Sequence, residues 1–302
     1  GRIENDHARN HTTTATGFPG FESSQALWAA FAEQQVTIGE RLHLTFSGRY
    51  DGTFSGGDGF LTGRATAAYE IEETGTRLRG SIGTGAKRPT AYQVGNNAFA
   101  ATLPGGEDVP ETLKSERSIG VDAGIEQSLF DGALRLSATA FYNRFDKLLG
   151  FTFLSMSDQN GYYENIDQSE TKGIEATADA EIIPNVLSAS VAYTWMPTLN
   201  LTTGRPLQRR PEHTGSFSVT FTPQAGIEAT LSAVLVGSRL NSSSLSSTLP
   251  GYGRVDFSTS FALSEQTKVF GRIENLFDAR YQDPSGFNAP GLSAYVGLTW
   301  NR

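Results

Sequence analysis

Apolar and polar residues alternate with period two along most of the chain. That pattern restricts it to strands with one greasy and one wet face, because neighbouring side chains in a strand point to opposite sides. Within Gly173 to Ile182, Ile174, Ala176, Ala178, Ala180 and Ile182 share one side, and Glu175, Thr177, Asp179 and Glu181 the other. About thirteen such segments can be read, near 26–36, 41–50, 60–72, 77–87, 115–128, 134–147, 169–182, 186–197, 213–222, 227–239, 252–263, 267–275 and 291–300. Most exceed the roughly five or six residues of a soluble strand. They suit the roughly 9–11 residues that cross a bilayer obliquely.

The connections alternate as well. Tight turns at 37–40, 73–76, 130–133, 183–186, 223–226 and 264–267 are interleaved with long polar loops at 51–59, 88–114, 148–168, 199–212, 240–251 and 276–290. Short turns on one side and long loops on the other are the plan of an outer-membrane barrel, with the turns periplasmic and the loops outside. The pattern predicts an all-β fold, a transmembrane antiparallel β-barrel.

A soluble sandwich, propeller or solenoid also alternates. It would need an apolar core, whereas the apolar faces here carry Ala, Gly and single aromatics suited to lipid. The opposite faces carry charges of both signs, among them Arg64, Glu70, Arg77, Arg79, Asp122, Glu126, Arg135, Glu175, Asp179 and Arg272. A water-filled or plugged lumen accommodates these groups and hydrocarbon does not. Tyr50, Tyr69, Tyr142, Tyr193, Trp195 and Trp300 fall near strand ends on the apolar register, where aromatic girdles sit.

Composition removes other classes. Without a single Cys, neither a disulfide framework nor a thiolate metal site can form. A net charge of −8 with no basic run argues against nucleic acid as a partner. Of the four histidines, His7 and His11 lie four apart but among Asn and Thr that do not predict a helix, so a solvated loop is expected rather than a metal site. The Gly-rich stretch from Gly80 to Lys87 lacks the ending of a phosphate loop and reads as strand. Asp51 and Asp58 do not have the spacing of a calcium loop. No nucleophile elbow is present and His213 has no assignable partner. No catalytic group, metal or cofactor is therefore expected, and the chain is not read as an enzyme.

The last thirty residues run GRIENLFDARYQDPSGFNAPGLSAYVGLTW. This stretch resembles the terminal signature of TonB-dependent outer-membrane receptors, with Asn275, Leu276, Phe277, Asp278, Tyr281, Pro290 and Gly291 at the matching places. Upstream, ETGTRLRGSIGTGAKRPTAYQV is similar to that family's Gly-rich strand followed by Lys-x-Pro-Thr and an aromatic. ETKGIEA (170–176) resembles its paired strands beyond mid-barrel, and LQRRPEH (207–213) its cobalamin-receptor branch. The resemblance implies a barrel of roughly 22 strands around a plug domain that carries a TonB box. Here the expectation is the C-terminal part of such a barrel over residues 24–302, with the plug absent and residues 1–23 the remnant of an extracellular loop.

It further implies an active importer of a scarce, large solute, a cobalamin or a ferric siderophore. Its partners would be the lipid bilayer, its own plug, TonB through that plug, and a small-molecule or metal-chelate ligand. External loops would bind the ligand, which makes Tyr92, Phe99, Phe151, Phe153, Tyr162 and Tyr163 the candidate contacts, since aromatic faces bury area with little loss of entropy. A passive porin is the alternative; an outer-membrane hydrolase and a soluble adhesin are weaker readings.

Overall fold

A computed structural model describes residues 2–9, 22–54, 59–154, 160–224, 226–242 and 247–300. The first strands are β1 (Arg2–Arg9), β2 (Glu22–Ile38), β3 (Leu42–Thr53), β4 (Phe60–Ile71) and β5 (Thr76–Lys87). A helix α1 (Ala91–Ala100) precedes β6 (Glu116–Leu129), β7 (Leu134–Phe153), β8 (Gly161–Ile183) and β9 (Leu187–Trp195). Then come β10 (Thr198–Asn200), β11 (His213–Phe221), β12 (Ile227–Val236), β13 (Arg239–Ser242) and β14 (Ser247–Leu249). Last are β15 (Tyr252–Ala262), β16 (Thr267–Glu274) and β17 (Ser293–Trp300).

One 15-stranded sheet contains all of these except the β13–β14 hairpin. Its strands follow chain order from β1 to β17, with β10 attached to β8 off the main path. The strands on that path after β1 correspond to the segments that alternation marks out. Each pair is antiparallel, joined alternately by a tight turn and a longer connection. The β4–β5 turn illustrates why the tight ones hold: Gly75 has φ 65°, and a Cβ there would lie 2.7 Å from the Ser128 carbonyl oxygen, so only glycine fits.

Register puts whole rows of like residues on one side. Directly paired across neighbouring strands are Ile38, Leu42, Tyr69, Leu78, Ile125, Ala138, Ala176 and Tyr193. On the other side Glu70, Arg77, Glu126, Ser137 and Thr177 form a polar row. Ile174, Ile125, Val121 and Phe46 are all 45% exposed or more. The Ile174–Ala176–Ala178 row is not sealed beneath a second sheet; Ile174 is exposed and Ala176 and Ala178 half-buried. The accessible area is 18983 Å², against roughly 12,000 Å² for a compact monomer of this mass. Among the described residues the wall is a single layer without a globular core, and its apolar side is exposed.

Three expectations change. The stretch 148–168 is not a loop for most of its length. Apart from the tip, it continues β7 and β8 into a hairpin of 20- and 23-residue strands, and its ladder runs to Phe153–Gly161. Within the segment read as a loop remnant, Arg2–Arg9 pairs with β2 from Arg2–Ala29 to Arg9–Glu22; His11 lies outside the described residues. The 88–114 connection holds α1, which packs against β8 and also against β1 and β2. Thr90 starts that helix with a reciprocal cap: its hydroxyl accepts from the Gln93 N–H, and the Gln93 side chain accepts from the Thr90 N–H.

Candidate functional site

The polar side of the wall carries a linked set of charges. Arg79 Nε lies 2.8 Å from Glu126 Oε1, and Arg77 Nη1 lies 3.3 Å from Glu126 Oε2. Arg79 also donates to Thr139 Oγ1 at 2.7 Å, and Arg64 to Ser81 Oγ at 3.3 Å. Ser81 in turn donates to Asp122. A concavity of about 630 Å³ is lined by Arg64, Arg79, Ser81, Asp122 and Thr139 of this set and by Gly83, Gly85 and Gly120. Glycines at those inward positions leave room for another surface to approach closely.

Above this wall, the extended β7–β8 hairpin and α1 build the mouth. Phe151 is paired with Tyr163 on the strands, and their rings meet edge to face at 5.2 Å. Tyr92, in the first turn of α1, meets Tyr163 edge to face at 6.5 Å. Tyr92, Phe151 and Tyr163 therefore form one cluster. Phe99 lies in the last turn of α1 and Phe153 at the end of β7. Tyr162 pairs with Thr152, one position off the Phe151–Tyr163 pair, so it faces the other side. Burial pushes the phenols of both Tyr162 and Tyr163 above the usual tyrosine value.

Residues that alternation could not single out hold this cluster. Asn97, 4% exposed, accepts the Tyr163 N–H and donates to the Tyr163 carbonyl, each at 2.7 Å. Asn96 donates to the Gly161 carbonyl at 2.9 Å. Asn165 accepts from the Lys114 N–H and donates to the Lys114 carbonyl, both at 2.8 Å. Side-chain amides thus replace the neighbouring strand that β8 lacks here. The adjacent Asn96–Asn97 pair was the available signal, but an amide pair in a polar stretch looks like any loop.

Among the later long connections, Arg239 has a side chain only 3% exposed and pairs with Asp283 at 2.7 Å. Its guanidinium also lies over Tyr252, whose ring stacks on Tyr281 with centroids 3.8 Å apart. This ties the β12–β15 connection to the 276–290 loop. Asn275 is almost fully buried at φ 53°. Its Nδ2 donates to the carbonyls of Ala279 and Pro290, and its Oδ1 accepts from the Ala279 N–H at 2.8 Å. Asp278 Oδ1 accepts from the Leu292 N–H, and a Cβ on Gly291 would collide with that same oxygen. Leu276 N–H bonds the Val255 carbonyl, while Phe277 is exposed. The Asn-Leu-Phe-Asp stretch is a structural clasp for the last loop.

Asp51 pairs with Arg49 at 2.7 Å, Asp58 lies outside the described residues, and His7 sits in β1. Among the described residues no group of three or more His, Asp or Glu is placed to hold a metal.

Comparison with known proteins agrees with this architecture. Residues 3–276 match the family model for the TonB dependent receptor-like β-barrel. The iron-regulated outer membrane virulence protein of Vibrio cholerae is 27% identical over 296 residues, covering 91% of this chain and 44% of that protein. The vitamin B12 transporter BtuB of Photobacterium profundum is 24% identical over 241 residues, 79% of this chain and 37% of that one. Among solved structures, the ferric enterobactin receptor PfeA of Pseudomonas aeruginosa superposes with a TM-score of 0.74 at 20% identity, covering 92% of this chain and 45% of that one. The copper transporter OprC gives 0.77 at 16% identity, with 95% and 49% covered. The chain spans less than half the length of these relatives. It belongs to the TonB-dependent receptor β-barrel family of the bacterial outer membrane.

Proposed function

We propose that this chain forms part of the barrel wall, from β1 to β17, of an energised importer. Its cargo would be a scarce solute too large for porins, a ferric siderophore or a cobalamin. The observation that carries the reading is the aromatic cluster of Tyr92, Phe151 and Tyr163, fixed at the mouth by the Asn97 clamp. Aromatic faces on rigid supports bind a large planar or ring-rich solute at low entropic cost. The charged inner wall, with its glycine-lined concavity, suits a plug domain held by ion pairs that shift when TonB pulls on it. Relatives matched in sequence bear names that refer to iron regulation and vitamin B12, which supports a cargo of this kind.

The test uses cells carrying the complete gene, with and without TonB, supplied with labelled ferric chelates and cobalamin. Accumulation of one of them that disappears without TonB supports the proposal. Flux unchanged by that deletion sinks it and favours a passive channel, which a liposome conductance assay would then register.

A further inference from the structure

Two tyrosines from separate parts of the chain lie face to face. Tyr252 opens β15 and Tyr281 sits in the 276–290 loop. Their ring centroids are 3.8 Å apart and their planes are 8° from parallel. This is closer than the roughly 4.5–7 Å of an ordinary aromatic pair. Tyr92 and Tyr163, by contrast, meet edge to face at 6.5 Å. Both Tyr252 and Tyr281 are half-buried rather than sealed, and a cavity of about 500 Å³ adjoins Tyr281.

The surroundings suit phenols that give up their hydrogen. The Tyr252 hydroxyl donates to Asp283 Oδ2 at 3.3 Å, and Arg239 holds Asp283 Oδ1 at 2.7 Å. A carboxylate fixed in this way can take the phenolic proton as an electron leaves. That matters because the Arg239 guanidinium lies 5.6 Å from the centre of the Tyr252 ring. A neighbouring cation disfavours a ring left positively charged, whereas loss of the proton with the electron leaves the ring neutral. On the other ring, Arg254 hydrogen-bonds the Tyr281 side chain, and a cation there eases departure of the second proton.

We propose that Tyr252 and Tyr281 form an oxidative modification site, coupling to a dityrosine when the cell surface meets hydrogen peroxide and a haem peroxidase. Each phenol loses one electron to the oxidised haem and one proton, that of Tyr252 passing to Asp283. The two phenoxyl radicals then join through a carbon–carbon bond between ring positions next to the hydroxyls. The hydrogen on each bonded carbon moves to its oxygen and restores the phenol. Peroxide takes up the two electrons and two protons and leaves as two waters. Holding the rings in contact makes this coupling outrun encounters with other tyrosines. The product fastens the outer end of β15 covalently to the last loop, whichever solute the receptor carries.

The test treats the complete receptor, purified folded in detergent, with limiting hydrogen peroxide and a small haem peptide, and then maps linked peptides by mass spectrometry. The folded parent should yield a pair joined through Tyr252 and Tyr281 and short of two hydrogen atoms, with any link between Tyr92 and Tyr163 in lower yield. Parent unfolded in urea before oxidation should lose the preference for this pair. Tyr281→Phe, which keeps the ring, should abolish the linked product while retaining the heat-modifiable migration of a folded barrel; Tyr252→Phe serves if that variant does not fold. No 252–281 link in the folded parent, a Tyr92–Tyr163 link in equal yield, or the same preference in the unfolded chain overturns the proposal.

Discussion

The Asn97 side chain holds both backbone groups of Tyr163, accepting from its N–H and donating to its carbonyl at 2.7 Å each. One amide therefore joins the helix in the 88–114 connection to the far edge of the hairpin. Among the described residues no strand covers that edge at this height, and an unpaired buried backbone group is costly. Asn97→Ala leaves two such groups without partners, a loss of about 1–3 kcal/mol for each. Faster amide exchange at Tyr163 and easier proteolysis within 88–114 should follow, with the membrane-spanning strands unaffected. Asn97→Asp retains the acceptor and loses the donor, so its effect should fall between.

A second amide closes the last loop. Asn275 combines a left-handed backbone with one accepted and two donated hydrogen bonds in a buried site. Asn275→Gly keeps the backbone and loses the bonds; Asn275→Ala loses both. Each should lower the urea midpoint of unfolding from vesicles, the stability loss amounting to about 2–4 kcal/mol in all, with Ala the worse. Equal midpoints for parent and Ala variant would contradict the clasp.

Much of this was legible in advance, for a physical reason. Between Ile174 and Ile182 the bilayer punishes any side chain on the wrong face, so alternation is strict and strand, face and girdle can all be read. Outside the bilayer that penalty vanishes. Leu148 to Phe153 and Gly161 to Gln168 continue the strands without alternation, which is why they look like loop. The α1 segment AYQVGNNAFA has little apolar periodicity, yet the Thr90–Gln93 cap was present in the sequence as a start signal. The Asn-Leu-Phe-Asp motif was recognisable, but the reason for its Asn is tertiary.

Face assignment makes a mutational prediction. Ala178 lies opposite Leu136 and Val191 on the lipid side, and Thr177 opposite Ser137 and Ala192 on the lumen side. Ala178→Arg should cost about 2–4 kcal/mol near the bilayer midplane, and Thr177→Arg far less. Folding yields in lipid vesicles check this, and equal yields for the two would reverse the assignment.

The mouth also has an alkaline signature. Burial raises the Tyr163 phenol above its unfolded value of about 10. A raised folded pKa means its contribution is fully present below the unfolded value and is lost as pH rises through the folded one. Tyrosinate absorbance should show a late-titrating phenol that Tyr163→Phe removes, with the hairpin loosening in the same alkaline range.

Since the chain has no Cys, single cysteines can be placed at each position from 174 to 181 without background. Reconstituted in vesicles and spin-labelled, positions 174, 176, 178 and 180 should collide with oxygen dissolved in the hydrocarbon. Positions 175, 177, 179 and 181 should respond instead to a water-soluble relaxation agent, giving a two-residue oscillation along β8. A flat profile, or one in which the even positions prefer the aqueous agent, would contradict a wall with lipid on one side and lumen on the other.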